Sequence, residues 1–426
     1  GLCFAAMEQF LDELTWRGLL FDATPDFRER LQQGPITGYV GFDPTAPSLQ
    51  VGNLVPVMLL AHLQRAGGKP IVLLGGGTGL IGDPSGKRSE RPLQDFETVE
   101  ENTRRQRRQF ERFLDFHEGP DGALFLNNAD WLVKLQTVAF LRDVGKHFTL
   151  SYMLQKESVK GRLADGISYT EFSYMLLEAY DFLHMYRTVN CELQLGGSDQ
   201  WGNITAGIEL IRRSDSGDAH GVCAPLLTTA TGAKFGKSEA GTVWLDPKRT
   251  RPYEFFQYWI NADDRDVESH LKIFTFKTRE EIEGLMTSHG NSPGARDPQK
   301  ALAFDLTSRV HGEDIAARAA EAAEILFGSG SPEDAKASTW QMLAGELPRG
   351  PLPDGFSEEY SVVDLLSCST LIKSKGEARR QIAQGGVSVN GRRVSDADAT
   401  AGPPLEGGYY WVQRGKKSHF IFEPRL

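Results

Sequence analysis

The chain has 426 residues, of which 40% are hydrophobic and 24% are charged. This length predicts two to four domains, and the composition is that of an ordinary globular protein with a large core. The formal net charge of −10 excludes a protein whose whole surface binds nucleic acid, so any polyanionic partner has to meet a local patch.

The cysteines and the apolar runs set two further limits. The cysteines are scattered, with no CxxC pair and no metal-ligand spacing, which predicts no protein-ligated metal and favours a reducing, cytoplasmic setting. No apolar run is long enough to span a bilayer, so we expect no membrane partner. The cysteines are Cys3, Cys191, Cys223 and Cys368.

The N-terminal half alternates strand and helix patterns. A strand at 37–42, a helix at 54–64 and a second strand at 70–74 form a β-α-β unit, with Pro56 tolerated in the first helical turn. Such a unit predicts a parallel sheet with a ligand at the carboxyl ends of its strands. Further along we predict helices at 98–113, 130–163, 168–181 and 200–212, and a strand at 191–195.

After residue 250 the pattern is mainly helical, and it ends in a mixed segment that follows a stretch rich in glycine and proline. The predicted class is α/β: a Rossmann-like parallel-sheet domain, an α-helical domain and a small α+β module. The predicted boundaries are 1–229 with a helical insertion at about 114–165, a loop and connector at 230–250, helices at 251–328, a linker at 329–357 and the module at 358–426.

A basic loop with a central glycine, Lys234-Phe235-Gly236-Lys237-Ser238, suits the gripping of a polyphosphate while charge builds on it. Far upstream, Gly41–Asn53 combines a strand end, a turn and a helix start. The amino end of a helix also favours a phosphate. The two segments together predict a nucleotide-binding site.

Three polar residues, Tyr174, Glu178 and Asp181, have the spacing i, i+4 and i+7 and therefore share one helix face. A solvated polar face is the simple alternative, but the neighbouring residues are apolar and predict a buried helix. A buried carboxylate needs a partner. Asp181 could accept a hydrogen bond from a phenol, and Tyr39 could make a second contact to the same hydroxyl.

Two glycine-rich turns follow predicted strands. In the segment Gly196–Asn203, Asp199 is either a helix N-cap or a ligand for ribose hydroxyl groups. The pattern Gly77-x-Gly79-x-x-Gly82 matches a dinucleotide fingerprint and leaves a dinucleotide-dependent enzyme open as an alternative. Asp83-Pro84 follows it at once and breaks the helix that the fingerprint requires.

These motifs resemble the two signature loops of class I aminoacyl-tRNA synthetases. Within that class, Tyr39…Asp43-Pro44-Thr45, Gly82-Asp83-Pro84, Tyr174…Asp181 and Gly197-Ser198-Asp199-Gln200 resemble the tyrosyl family. The resemblance implies that tyrosine attacks ATP, taken up with Mg²⁺, to form tyrosyl-adenylate and pyrophosphate, and that tyrosine then passes to tRNA. Tyrosyl enzymes are themselves the standard example of a site that selects a hydroxyl group.

The resemblance also implies roles for individual residues. For tyrosine these are Tyr39, Asp83, Tyr174, Glu178, Asp181 and Gln200; for ATP they are Asp43, Gly52, Gly197, Asp199 and Lys237. For the reaction itself they are Thr45, Gln50, Asn53, Lys87, Arg91, Lys234, Lys237 and Ser238.

The sequence departs from the family pattern at three of these positions. Gln50 and Asn53 stand where the family has the histidines of His-x-Gly-His, and Glu178 stands where it has glutamine. Amides donate neutral hydrogen bonds but cannot become cationic, and loss of one transition-state donor commonly costs about 3 kcal/mol. A catalytically weakened paralogue that binds RNA is therefore the alternative function.

The C-terminal segment 356–426 carries 10 Lys and Arg against 8 Asp and Glu. A basic helix there runs into a hairpin with Asn390-Gly391 at its turn. The module resembles a small RNA-binding fold that bacterial tyrosyl enzymes carry, which implies contacts to tRNA phosphates. The predicted tRNA-binding residues are Lys373, Lys375, Arg379, Arg380, Arg392 and Arg393. The family also implies a homodimer formed through the Rossmann-like domain.

Overall fold

The computed structural model describes residues 7–85, 92–328 and 330–425. The described chain divides into two compact units. The first comprises the residues up to Thr250 together with Asn261–Leu302, and the second comprises Arg251–Ile260 together with the residues from Ala303 onward. Helices predicted to form one domain at 251–328 are thus divided between the two units, and the domain boundaries stay predictions.

The first unit is built on a six-stranded sheet, in which the parallel sheet predicted from the sequence is confirmed. The strands are β1 (Asp22–Ala23), β2 (Thr37–Phe42), β3 (Lys69–Leu74), β4 (Leu124–Asn127), β5 (Cys191–Gly197) and β6 (His220–Ala224). Their order is β1-β6-β5-β2-β3-β4. All neighbours are parallel except β1 and β6. Two further strands, β7 (Lys237–Ser238) and β8 (Gly241–Thr242), form a separate hairpin. The chain leaves β2 and β5 toward opposite edges, which makes their junction a topological switch point.

Helices cover this sheet. Those predicted at 54–64, 98–113 and 200–212 are present with small differences at their ends, whereas the one predicted at 168–181 continues to Val189 and the segment 130–163 holds several short helices in place of one. The segment predicted as a helical insertion also contains β4, because its residues 124–127 pair in register with β3. The helices are Phe10–Arg17, Phe27–Leu31, Leu54–Arg65, Phe96–Phe110, Ala129–Leu132, Thr137–Asp143, Leu150–Leu154, Glu157–Leu163, Tyr169–Val189, Trp201–Asp215, Val267–Phe274 and Arg279–Asn291. None of the helices in the described ranges is both long and apolar enough to cross a bilayer.

The helix Tyr169–Val189 packs against the sheet and carries three of the predicted site residues. It begins where the Ser168 side chain accepts a hydrogen bond from the Glu171 backbone N–H, and it ends at Asn190 with a left-handed φ of 54°. Such caps satisfy the terminal backbone groups of a helix. The buried Phe182 ring of this helix contacts Tyr39 on β2 edge-on, with ring centroids 5.3 Å apart. The helix is thus fixed against the sheet.

The second unit contains helices and a five-stranded sheet with a core of its own. Its helices are Pro252–Ile260, Glu313–Phe327, Ala337–Glu346, Val362–Cys368 and Lys375–Ala383, and the helix Asp297–His311 spans the division between the units. Its strands are β9 (Arg349–Pro351), β10 (Val387–Val389), β11 (Arg392–Arg393), β12 (Tyr410–Arg414) and β13 (Ser418–Glu423). The segment predicted as a linker, 329–357, therefore holds the helix Ala337–Glu346 and the strand β9. The strand forms because β9 pairs with β13.

Gly207 allows the helix Trp201–Asp215 to approach Phe182. A Cβ atom at Gly207 would lie 2.8 Å from Phe182 Cδ1, whereas a Cβ at Gly202 on the same helix would meet only Lys156 Cδ at 3.7 Å. Overpacking of this kind costs about 1–3 kcal/mol, and Ala in place of Gly returns up to about 1 kcal/mol of helix propensity.

We predict that Gly207→Ala lowers the free energy of unfolding by about 1 kcal/mol, because the clash outweighs the gain in propensity. Gly202→Ala, the matched control, should be neutral or slightly stabilising. Urea unfolding of both variants is the measurement. Equal stability of the two would contradict the close packing at Gly207.

Candidate active site

A cavity of about 620 Å³ opens at the switch point between β2 and β5. Open parallel sheets bind ligands at this position, because the loops after the two strands diverge there. The loop after β2 brings Asp43 and Thr45 to the cavity, and the turn after β5 brings Asp199 and Gln200. Parts of the chain that are distant in sequence thus share one site.

Most of the residues predicted for the site line this cavity. They are Tyr39, Asp43, Thr45, Gln50, Gly52, Asn53, Asp83, Tyr174, Glu178, Asp181, Gly197, Asp199, Gln200 and Lys234. Lys237 and Ser238 do not line it; they lie in an exposed hairpin nearby. Lys87 and Arg91 lie outside the described residues.

Asp181 is buried and held by two donors. Asn128 Nδ2 donates to Asp181 Oδ2 at 2.9 Å, and Trp131 Nε1 donates to Asp181 Oδ1 at 2.7 Å. Burial raises the pKa of Asp181 to about 8, and these two hydrogen bonds oppose the rise. The carboxyl group is therefore oriented in advance, as an acceptor at the inner end of the cavity.

Two other polar groups at this inner end have unsatisfied atoms. Among the described residues, nothing contacts Tyr39 Oη or Glu178 Oε2 with a hydrogen bond, and both atoms are buried. The other Glu178 oxygen, Oε1, accepts from Gln194 Nε2 at 3.1 Å. Burial, and then the charges of Glu178 and Asp181, raise the pKa of Tyr39. Buried polar atoms without partners are costly, so a ligand that pairs with them is the simplest account.

The remaining carboxyl groups are tied to the loops that carry the site. Tyr174 Oη donates to Asp43 Oδ2 at 2.9 Å, and Thr78 Oγ1 donates to Asp43 Oδ1 at 2.7 Å. Asp83 Oδ2 accepts from Gln200 Nε2 at 2.8 Å. These bonds connect the loops after β2, β3 and β5 in one network.

The helix start at 50–54 is organised by its own amides. The Gln50 backbone N–H donates to Asn53 Oδ1 at 3.0 Å, and the Asn53 N–H donates to the Gln50 carbonyl oxygen at 2.9 Å. Because Asn53 uses its side-chain oxygen in this way, its Nδ2 group is oriented to donate elsewhere. A Cβ atom at Gly52 would meet nothing within 4 Å, so a ligand can approach the backbone there.

The Lys234–Ser238 loop is attached to this helix start. The Val51 N–H donates to the Val243 carbonyl oxygen, and the Val243 N–H donates to the Gly236 carbonyl oxygen, both at 3.0 Å. Gly236 has φ of +82°, and a Cβ atom there would lie 3.2 Å from Val51 Cγ2. Only glycine adopts this conformation cheaply. The sequence patterns at 50–53 and 234–238 are thus neighbours in space.

An aromatic contact anchors the same loop on the helix Val267–Phe274. The Phe235 ring stacks on Phe274 at 5.3 Å between centroids and contacts His270 at 5.4 Å. Beyond this anchor, Lys237 Nζ donates to Thr242 Oγ1 across the hairpin. Lys234 faces the cavity while Lys237 stays beside it.

Sequence reasoning missed the residues that support the recognised ones. Asn128 bonds Asp181, and its Oδ1 also accepts from the Gly77 N–H at 2.8 Å. Gln194, Thr78 and Trp131 likewise hold recognised residues in place. They donate hydrogen bonds to Glu178, Asp43 and Asp181, respectively. Their positions after β3, after β4 and within β5 were a usable signal, because those strand ends converge at the switch point.

The structure removes the context that a dinucleotide fingerprint needs. After β3 the chain forms a single 3-10 turn, Thr78–Leu80, in place of a long helix. A Cβ atom at Gly77 would lie 3.1 Å from Leu132 Cδ1, and one at Gly79 would lie 3.2 Å from Pro44 Cδ. We assign these glycines to close packing against the neighbouring loops, and the dinucleotide alternative has no further support.

The predicted RNA-binding residues of the second unit are all exposed. Two of them have acidic partners: Lys375 Nζ lies 2.8 Å from Asp364 Oδ1, and Arg392 pairs with Glu333. They lie on or beside the helix Lys375–Ala383 and on the strand β11. A basic surface of this kind is available for a polyanion.

Comparisons with known proteins agree along the whole chain. Residues 31–328 match the family "tRNA synthetases class I (W and Y)", and residues 348–422 match the "Tyrosine--tRNA ligase SYY-like C-terminal domain". The chain is 53% identical to a tyrosine–tRNA ligase of Anaeromyxobacter dehalogenans over 98% of this chain and 100% of the relative. It is 48% identical to one of Geobacillus kaustophilus, over 96% and 98%.

A solved structure agrees with these family matches. The C-terminally truncated mitochondrial tyrosyl-tRNA synthetase of Aspergillus nidulans superposes with a TM-score of 0.69 at 28% identity. The superposition covers 76% of this chain and 98% of that one.

The unpaired Tyr39 hydroxyl generates a stability prediction. Tyr39→Phe should raise the free energy of unfolding of the ligand-free protein by about 1 kcal/mol, because it removes a buried hydroxyl that has no partner. Tyr174→Phe, the matched control, should lower it by about 1.5–3 kcal/mol, because that hydroxyl donates to the Asp43 carboxylate. Urea unfolding without ligand measures both; a loss of stability in Tyr39→Phe would contradict the unpaired hydroxyl.

Proposed function

The chain belongs to the class I tRNA synthetases of the tyrosyl type, and we propose that it is a tyrosine–tRNA ligase whose described cavity forms tyrosyl-adenylate. The enzyme joins L-tyrosine to ATP with release of pyrophosphate. It then transfers tyrosine to the terminal adenosine of tRNA(Tyr).

One observation carries the assignment of substrate: Asp181 and Tyr39 sit together at the closed end of the cavity. Asp181 is an acceptor fixed by Asn128 and Trp131. The hydroxyl of Tyr39 has no partner among the described residues. A phenol hydroxyl donates to the first and accepts from the second, which phenylalanine cannot do. Phenylalanine would leave the Tyr39 hydroxyl buried and unpaired, and it would offer no donor to Asp181.

The rest of the cavity suits the other substrate groups. Asp83, Tyr174 and Glu178 offer acceptors to the α-ammonium group of tyrosine, and Gln200 lies beside them. Asp199 offers acceptors for the ribose hydroxyls of ATP, with Gly197 next to it. The open space over Gly52 gives room for adenine. Asp43 remains bonded to Tyr174 and Thr78 and shapes the floor between the two ligands.

The reaction itself needs positioning and charge stabilisation. The tyrosine carboxylate is already nucleophilic and attacks the α-phosphorus of ATP, so no general base is required. ATP enters as its magnesium complex, with the ion held by the phosphates. Thr45, Gln50 and Asn53 donate hydrogen bonds to the phosphates. Among the described residues that line the cavity, Lys234 is the one that carries a positive charge.

Further positive charge has to come from the loops. Lys237 and Ser238 lie beside the cavity, and the glycines of that hairpin allow it to swing toward pyrophosphate. Phe235 stays anchored and serves as the pivot. Lys87 and Arg91, outside the described residues, are proposed to reach the pyrophosphate as well.

We assign tRNA binding to the exposed basic residues of the C-terminal module. Lys373, Lys375, Arg379, Arg380, Arg392 and Arg393 contact backbone phosphates, which position tRNA without reading its sequence. The proposed location is the cytoplasm, where tRNA is used in translation.

A homodimer is proposed on the basis of an apolar surface on the insertion. Between residues 133 and 169, many large apolar side chains are exposed, with Val138 at 80% and Tyr169 at 73%. Such a concentration is typical of a surface that another protein covers. Val133, Val138, Leu141, Leu150, Leu154, Leu163 and Tyr169 form this surface.

The activity is tested by tyrosine-dependent exchange of labelled pyrophosphate into ATP, with phenylalanine as the control substrate. We expect exchange with tyrosine only. Asp181→Asn should raise the KM for tyrosine by roughly 10- to 100-fold, because it replaces one acceptor oxygen of the fixed carboxyl group with a donor. Asp199→Asn, the matched control, should change the KM for ATP and leave that for tyrosine. No exchange with any amino acid would favour the RNA-binding paralogue instead.

The basic module generates a separate prediction. Replacement of Lys373, Arg379 and Arg380 by Gln should weaken tRNA binding at least about tenfold and flatten its salt dependence, because fewer counterions are released. Pyrophosphate exchange should be unchanged. A triple variant of exposed cations outside the module, Arg28, Lys248 and Lys336 to Gln, controls for net charge. Equal tRNA affinity of the two triple variants would contradict the role of the module.

A further inference from the structure

The inner end of the cavity contains more acidic groups than its hydrogen-bond network uses. Glu178 is 7% exposed, one of its oxygens accepts from Gln194, and the other, Oε2, is buried with no partner among the described residues. A glutamine at this position would present the same shape without a charge. The chain thus places an ionisable group where an amide suffices.

Three acidic groups from neighbouring parts of the chain act on Glu178, whereas β5 offers it only the neutral amide of Gln194. Asp181 lies on the same helix as Glu178, Asp43 follows β2, and Asp83 lies in the loop after β3. Tyr39 and Tyr174 add neutral hydroxyl groups. Among the described lining residues, Lys234 is the single cation. Burial first, and then the charges of Asp83, Asp43 and Asp181, raise the pKa of Glu178 well above its ordinary value.

We propose that Glu178 carries a proton in the free enzyme and gives it up when the α-ammonium group of tyrosine binds, so that substrate binding releases one proton. The inference rests on the proposed function, because it takes tyrosine as the ligand. The O–H bond of the carboxyl group breaks and its proton passes to the solvent. The ammonium group keeps its three protons and donates one hydrogen bond to the freed Oε2.

The physical reason is a change in charge balance. Without ligand, ionised Glu178 would stand among other carboxylates in a medium of low dielectric constant, which favours the neutral acid. An ammonium group has donors only, so it needs an acceptor at Oε2. Opposite charges a few Å apart in such a medium attract strongly enough to restore the ionised carboxylate.

The sign of the pH dependence follows from this exchange. Because binding releases a proton, tyrosine affinity rises with pH, up to tenfold for each pH unit, between the pKa of Glu178 in the complex and its higher pKa in the free enzyme. At higher pH the affinity falls again as the ammonium group itself loses a proton. Glu178→Gln should remove the rise, so that the tyrosine affinity of the natural enzyme, relative to that of this variant, increases with pH through the same interval.

Asp181 is the group that could be confused with Glu178. Burial also raises its pKa, to about 8, but both of its oxygens already accept hydrogen bonds from Asn128 and Trp131. Asp181 is unchanged in Glu178→Gln, so any proton that Asp181 releases on binding is released by this variant as well. The difference between the two proteins therefore isolates Glu178.

The test is calorimetric titration of the full-length protein with L-tyrosine at pH 7 in buffers of different ionisation enthalpy. The slope of observed enthalpy against buffer enthalpy gives the number of protons released. We expect the natural enzyme to release about one proton more than Glu178→Gln. Asp199→Asn, which removes a different carboxylate of the same cavity, should release as many protons as the natural enzyme.

Equal release by the natural enzyme and Glu178→Gln would overturn the inference and leave the ligase function intact. If Glu178→Gln does not fold, the natural enzyme decides alone: binding without proton release, or affinity that does not rise with pH, overturns the proposal. No binding of tyrosine at all, in a folded protein, would contradict the proposed function and with it this inference.

Discussion

A buried carboxyl group, Asp181, imposes the constraint on which the inner half of the site depends. An acidic side chain inside a core must be surrounded by donors, and here Asn128 and Trp131 supply them. Asn128 also holds the backbone at Gly77. The requirement of one helix residue therefore fixes the loop after β3 and the segment after β4. What remains for the substrate is an acceptor that is already oriented.

The outer half of the site follows from a different constraint, the pairing of two distant segments. Backbone hydrogen bonds join Val51 to Val243 and Val243 to Gly236. They bring the amides of the helix start next to the basic loop through backbone contacts. Gln50 and Asn53 cannot supply positive charge, so in this chain the loops have to supply it. In the proposed mechanism, the hairpin that carries Lys237 therefore moves toward the pyrophosphate.

The two halves differ in electrostatic character. Carboxyl groups line the end proposed for the ammonium and hydroxyl groups, whereas Lys234 lies in the lining proposed to face the phosphates. In the empty site the carboxylates repel one another, and a bound cation reduces this repulsion. The same balance explains why glutamate is tolerated at position 178. The proposed cost is that binding becomes dependent on pH.

Much of this molecule was determined by the sequence. The β-α-β pattern predicted the parallel sheet, and most predicted helices are present. The motifs at 39–53, 174–181 and 197–200, together with Lys234, predicted residues that share one cavity, because chemistry of this kind depends on residue type and short spacing. Lys237 and Ser238 lie beside that cavity. The inserted strand β4 was missed, since its pairing with β3 is a long-range contact. The strand β9 inside the expected linker was missed for the same reason.

Only the tertiary structure decided which atoms remain unpaired. Asn128, Gln194 and Trp131 carry no local signature, because their roles arise from contacts with residues far away in the sequence. The orphan oxygen of Glu178 and the unpaired hydroxyl of Tyr39 likewise depend on how closely the strands and helices pack. Local patterns determine elements and candidate chemistry, whereas burial and partnership, which set charge and affinity, are properties of the assembled fold.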